Sequence, residues 1–151
     1  MGSTLTKLVI HCVFHVKPKW TNIRESELND MWAYMGGIVR NEGCIPLQIG
    51  GIYDHVHLLI AMSPSVRISD LVRNIKNGTT KWLKERDRHF YNTFKWQEGY
   101  GAFSVSPSFV EPTVNYIKRQ AEHHKKEPPI NEYRRILDGY GVQYDERYAF
   151  E

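Results

Sequence analysis

Between Leu5 and Ser106 the spacing of apolar residues switches from a period of two to a helical period and back, twice over, and that order restricts the fold more than any other feature of the chain. Leu5 to Lys17 reads as a first strand, with Leu8, Ile10, Cys12 and Phe14 on one side and Val9, His11, Val13 and His15 on the other; Pro18 ends it. Asn22 and Glu25 have capping-box spacing, and Leu28, Met31, Trp32, Met35, Ile38 and Val39 then recur as one helical face up to Glu42, with Gly43 as the stop. Cys44–Tyr53 and His55–Met62 read as two strands joined tightly near Asp54. After Ser63-Pro64-Ser65 a second helix follows, carrying Ile68, Leu71, Val72, Ile75 and Trp82 on one face, with Gly78 as its weak point. Trp96–Ser106 reads as a fourth strand, bulged at Gly99 or Gly101. A third helix starts between Ser108 and Pro112 and is expected to run unbroken to about Lys126; Pro128-Pro129 separates it from a tail helix around Ile130–Leu137.

The order βαββαβ predicts an α+β fold, a ferredoxin-like or RRM-like sandwich with an antiparallel sheet, helices on one face and the other face free, followed by an extra C-terminal helix. The 151 residues suit one domain, residues 1–151, with a core over about 5–126 and a tail over 127–151. A net charge of +3 permits nucleic acid as a partner without arguing for it. Cys12 and Cys44, two isolated cysteines, suggest neither a disulfide framework nor a zinc knuckle, the apolar runs near 8–14 and 58–62 are too short to span a membrane, and no secretory leader is visible. Met1–Thr6 fits the myristoylation pattern only loosely and is read as coincidence, so the expected compartment is the cytoplasm.

The chemistry-bearing residues are few. His55 and His57 are two apart on a strand, so both imidazoles leave the same face while Val56, Leu58 and Ile60 enter the other. Alone, such a pair is more often partly buried histidine than a metal chelate. On the third helix Val110, Val114, Ile117 and Ala121 form the apolar stripe, and Tyr116 and Gln120, four apart, share a neighbouring face and can reach one target. Two imidazole nitrogens, an amide oxygen and a phenol together suit a divalent ion with positions left for phosphate oxygens.

In this order Asp54-His55-Val56-His57-Leu58-Leu59, the Trp96–Ser106 segment and Tyr116-Ile117-Lys118-Arg119-Gln120 resemble the single-tyrosine HUH transposases of the insertion sequence 200/605 family, over about Leu5 to Lys126, with a fainter echo in Tyr144-Asp145-Glu146-Arg147-Tyr148. The resemblance implies a magnesium- or manganese-binding site on His55, His57 and Gln120. It implies that Tyr116 is the nucleophile, forming a 5′-phosphotyrosine intermediate and freeing a 3′-OH. It also implies a homodimer acting on single-stranded DNA hairpins at the ends of an insertion sequence, with active sites shared between chains. Relaxases place the tyrosine before the histidines, whereas Tyr116 follows them. A free phenol, with a pKa near about 10, needs activation at neutral pH. No proton acceptor for it is evident in the sequence.

Other residues carry competing readings. His123 and His124 lie about two turns beyond Tyr116, as a solvated helix end, a rival ligand or a DNA contact. His11 and His15 are expected to be core or surface histidines. Arg73, Lys76, Lys81, Lys84, Arg86 and Arg88 could follow a DNA backbone or simply be solvated. Tyr100 could stack on an unpaired base; Trp96, Phe103, Trp32 and Trp82 are assigned to the core, and Gly99 and Gly101 to a bulge or a close approach of DNA. Two alternatives remain at this point: a rolling-circle-type nickase with the same chemistry, and a noncatalytic RRM-like module, which would need aromatic residues on the open sheet face.

Overall fold

The computed structural model describes residues 2–18, 21–123 and 127–145. Its elements are β1 (Val9–His15), α1 (Glu25–Asn41), β2 (Ile45–Ile52), β3 (His55–Ala61), α2 (Ile68–Arg86), β4 (Gly101–Ser104), a 3-10 turn at Pro107–Phe109, α3 (Val110–Lys118), α4 (Gln120–His123) and α5 (Pro129–Gly139). The four strands form one antiparallel sheet in the order β2-β3-β1-β4. This is the α+β, βαββαβ arrangement that the periodicity predicts.

Strand alternation decides what each sheet face does. Cys12 and Phe14 of β1 and Val56, Leu58 and Ile60 of β3 face α1 and α2, where Met31, Met35, Val39, Leu71, Val72, Ile75 and Leu83 complete the main core. The opposite face, expected to be free, is covered by the C-terminal helices. Val9 and Leu59 pack with Val105 and Ile117 beneath α3, and Val13 and Phe103 pack with Tyr133 and Leu137 of α5. His11, His15, His55 and His57 belong to this covered face, because His15 pairs with His55 and Val13 with His57 across the β1–β3 ladder.

Several boundaries differ from the sequence reading. β1 begins four residues late: Leu5 is 90% exposed and has no strand partner to bury it. β4 keeps only Gly101–Ser104, because Gly99 takes a left-handed backbone (φ 83°) that breaks the extended run after Trp96, which makes an isolated bridge to Val16. The Asn22–Glu25 capping box is not formed. α1 starts at Glu25, and its entry is fixed instead by buried Glu27, whose carboxylate accepts from Tyr91 Oη at 2.6 Å, Arg24 Nε at 2.8 Å and Arg86 Nε at 3.1 Å. Ala121, placed on an apolar stripe by spacing, is exposed.

Gly50 of β2 is what lets α3 lie close to the sheet. A Cβ there would stand 3.0 Å from both Cγ2 and the carbonyl oxygen of Ile117, one residue from Tyr116. Gly50→Val is therefore expected to cost about 1–3 kcal/mol through overpacking, read as a Tm lower by roughly 2–10 °C. An unchanged Tm would show that α3 is not seated on Gly50.

Candidate active site

His55 and His57 are both fully buried beneath α3, α4 and α5. Their rings are held from behind through Nδ1. His55 Nδ1 lies 2.8 Å from Asp54 Oδ1, and His57 Nδ1 lies 2.8 Å from His11 Nε2. Their Nε2 atoms turn toward a common point. His57 Nε2 is 3.0 Å from Glu132 Oε1; His55 Nε2 is 3.5 Å from the same oxygen and 3.0 Å from Gln120 Oε1. One ligand atom from each of His55, His57 and Glu132 falls within 4.8 Å of the other two.

Tyr116 and Gln120 reach this point as their four-residue spacing predicts, although the helix carrying them is not continuous. α3 ends at Lys118, Arg119 leaves helical geometry (φ −101°, ψ 19°), and α4 resumes at Gln120. Residues 124–126, where the predicted helix would have continued, lie outside the described residues. Gln120 is almost completely buried; its amide Nε2 donates to Glu132 Oε2 at 3.1 Å. Tyr116 Oη donates a hydrogen bond to the same Oε2, its ring stands edge-on to His57 at 5.8 Å, and Arg135 Nη2 lies 3.4 Å from Oη. Glu132 thus sits between the two halves of the site, Oε1 toward the imidazoles and Oε2 toward the phenol and amide.

Burial and neighbouring charges set the protonation pattern. Burial drives His57 down to about 4, against the pull of Glu132, and drives His11 down to about 3, so both rings are neutral at pH 7. At His55 burial also opposes charge, but Asp54 and Glu132 outweigh it and raise the ring to about 9. His15, buried and stacked 5.3 Å from His55, falls to about 4. The Tyr116 phenol is pushed above its ordinary range, first by burial and then by the Glu132 carboxylate, with Gln120 and Arg135 pulling the other way. The donor set fits a divalent cation: two nitrogens that can be presented bare, a carboxylate oxygen and an amide oxygen, all buried and backed by hydrogen bonds.

The structure does not bring the basic residues of α2 to this point. Arg73, paired with Asp70 at 3.1 Å, and Lys81 and Lys84 belong to the helix that packs on the other sheet face. Lys76 is turned inward: its ammonium donates to the carbonyls of Gln97 (3.0 Å) and Gly99 (2.5 Å), and burial lowers it to about 8. It fastens the loop before β4. Tyr100 is 38% exposed on that same loop. His123 lies at the rim, 2.5 Å from Glu127 Oε2 and 3.6 Å from Glu132 Oε2, its ring 5.4 Å from that of Tyr116. Trp96 is core, its indole Nε1 donating to Thr79 Oγ1 at 3.0 Å. The close approach at Gly101 is made by the rings of Phe103 and of Tyr133 of α5, which would meet a Cβ there at 2.9 and 3.0 Å. His124, Glu146, Arg147 and Tyr148 lie outside the described residues.

Sequence reasoning alone does not reach Glu132, Arg135 or the backing roles of His11 and Asp54. Pro128-Pro129 announces α5, but no local pattern says that this helix docks over the histidines. Asp54 stands beside His55 in the sequence, and His11 and His15 show strand spacing; in both cases the missing information is the cross-strand pairing.

The family model described as Transposase IS200 like matches residues 4–120, a span that includes His55, His57, Tyr116 and Gln120 and stops short of Glu132. Among solved structures, the chain is similar to a presumed transposase from Deinococcus radiodurans R1 (19% identity, TM-score 0.63, covering 80% of this chain and 95% of that one). It is also similar to a REP-associated tyrosine transposase bound to a REP hairpin (12% identity, TM-score 0.61, covering 100% of this chain and 91% of that one). No curated protein matches it.

Proposed function

Because the chain belongs to the IS200-like transposase family, we propose that residues 1–151 act as one HUH transposase domain that cuts and rejoins single-stranded DNA by transesterification through Tyr116. The observation that carries this reading is the convergence of the Tyr116 hydroxyl, the Nε2 atoms of His55 and His57, the Gln120 amide and the Glu132 carboxylate at one buried point. His55, His57 and Gln120 would hold Mg²⁺ or Mn²⁺, with Glu132 as a further donor. Such an ion, when bound, supplies Lewis-acid polarisation of the scissile phosphate.

The chain's own groups account for the rest. The Tyr116 proton already points at Glu132 Oε2, the acceptor that the sequence does not reveal. Attack of Oη on phosphorus forms the tyrosine–phosphate bond as the P–O3′ bond breaks, and the leaving oxygen takes a proton to become a 3′-OH. The 5′-phosphotyrosine retains the phosphodiester energy, so a 3′-OH can reverse the step without ATP. Arg135, near Oη, is placed to meet phosphate charge.

A hairpin substrate is proposed by similarity to the neighbour solved on a REP hairpin. Arg73, Lys81, Lys84, Tyr100 and His123 are proposed DNA contacts, His123 being the one beside the nucleophile. We retain the homodimer as a proposal. Active sites shared between chains were the expectation; here one chain supplies Tyr116, both histidines, Gln120 and Glu132. The proposal leaves Tyr116 to act on its own chain's histidines or on the partner's. Among the described residues no helix is long and apolar enough to cross a membrane; action in the cytoplasm is part of the proposal.

The test is a single-stranded oligonucleotide carrying a subterminal hairpin, incubated with Mn²⁺ or Mg²⁺ and run under denaturing conditions. A metal-dependent covalent protein–DNA band is expected; retarded DNA that dissociates completely on denaturation would point to a binding module instead. For Glu132, Glu132→Gln keeps the shape and removes the charge, and Mn²⁺ affinity measured by calorimetry is expected to fall at least about tenfold. Wild-type affinity in that variant would restrict Glu132 to hydrogen bonding.

A further inference from the structure

The Nδ1 atoms of the two proposed ligands are held by partners of different chemistry. Asp54 Oδ1, 2.8 Å from His55 Nδ1, belongs to a carboxylate, which accepts and does not donate while ionised, so it fixes the proton of His55 on Nδ1. His57 Nδ1 instead faces another imidazole, His11 Nε2, at 2.8 Å. The two rings lie nearly parallel, with centroids 5.0 Å apart and planes 28° from each other. His57 is completely buried and His11 is 5% exposed, in the β1 row beside Phe103.

We infer that His11 is a positioning residue that lets His57 change tautomer between a hydrogen-bonding and a metal-ligating arrangement. His57 Nε2 lies 3.0 Å from Glu132 Oε1 and His57 Nδ1 2.8 Å from His11 Nε2; against an ionised carboxylate the proton belongs on His57 Nε2, which makes Nδ1 the acceptor of His11 Nε2–H. Ligation through Nε2 requires the opposite tautomer, with the proton on His57 Nδ1. A carboxylate behind His57 would hold it permanently in the ligating form; an aliphatic side chain would leave Nδ1 without a partner in a dry site. An imidazole serves both arrangements. His57 Nδ1–H then donates to His11 Nε2, and the His11 proton resides on its own Nδ1. Each ring keeps one proton throughout; only the nitrogen that carries it changes. The pairing also fixes the ring angle that aims Nε2 at the common point, as outer partners of metal-bound histidines do.

This inference rests on the metal-site reading, and the experiment separates the two. Mn²⁺ binding is measured by calorimetry on the full chain for wild type, His11→Leu and His11→Gln. The imidazole nitrogens of His57 are followed by ¹⁵N NMR as Mg²⁺ is added to the wild type. The wild type is expected to bind Mn²⁺ and to move the His57 proton from Nε2 to Nδ1 on Mg²⁺ addition. His11→Leu is expected to bind about 10–100-fold more weakly. His11→Gln, whose amide can donate or accept, is expected to recover most of that loss. Wild-type affinity in folded His11→Leu would overturn the inference while leaving the metal site standing; a His57 proton that stays on Nε2 with Mg²⁺ bound would remove His57 from the ligands and overturn the inference together with that part of the metal-site reading. Should His11→Leu fail to fold, weak binding by a folded His11→Gln would count against it. No Mn²⁺ binding by the wild type would remove both.

Discussion

Tyr116→Phe is expected to bind a hairpin-bearing single-stranded oligonucleotide as the wild type does and to form no covalent adduct with it. The substitution removes one atom, the oxygen that bonds to Glu132 Oε2. The ring keeps its edge contact with His57, its contact with His123, and its place against Val9, Leu59, Val105 and Ile117. Stability should change by only about 1 kcal/mol, because Glu132 retains its bonds to His57 and Gln120. A folded, DNA-binding, adduct-free protein is thus the expected phenotype. Adduct formation at the wild-type rate would move the nucleophile to another residue.

His57→Ala is the second large effect. It is expected to lower Mn²⁺ affinity by more than about 100-fold, since it deletes a proposed ligand rather than a residue behind one. The covalent product is expected to disappear with it, at any practical Mn²⁺ concentration. The same change strips the partner from His11 Nε2 inside a closed site and leaves Glu132 Oε1 with His55 Nε2 at 3.5 Å in place of the closer His57 contact; the unpaired His11 nitrogen costs about 1–3 kcal/mol. Its Tm should therefore fall further than that of Tyr116→Phe, and binding must be measured below the lowered transition. DNA binding that survives without cleavage would separate the metal's chemical role from substrate recognition. Wild-type cleavage by His57→Ala would remove the metal from the account.

Much of this site was legible because it depends on local period. His55 and His57 share a face by strand alternation, and Tyr116 and Gln120 converge by helical spacing, even across the break at Arg119. What was not legible depends on docking over long separations. Glu132 reaches the histidines only because Tyr133 and Leu137 seat α5 on Val13 and Phe103, an arrangement written in no local pattern. The start of α1 is a similar case: Glu27 finds Tyr91 and Arg86 far along the chain, and this tertiary network takes the place of the Asn22–Glu25 cap. Lys76 resembled a phosphate contact by charge, yet it serves two loop carbonyls. The RRM-like alternative required an exposed aromatic face. Among the described residues that face is filled by histidines, α3 and α5, with no open aromatic platform on it.

Among nine tyrosines in the chain, only Tyr116 places its hydroxyl on the acceptor that also bonds His57 and Gln120 among the described residues. The most direct test is peptide mass mapping of the denatured adduct formed with Mn²⁺. A nucleotide mass on the peptide containing Tyr116, joined through a 5′-phosphate, with a free 3′-OH on the released strand, is the predicted result. The same mass on another tyrosine, or attachment through a 3′-phosphate, would contradict it.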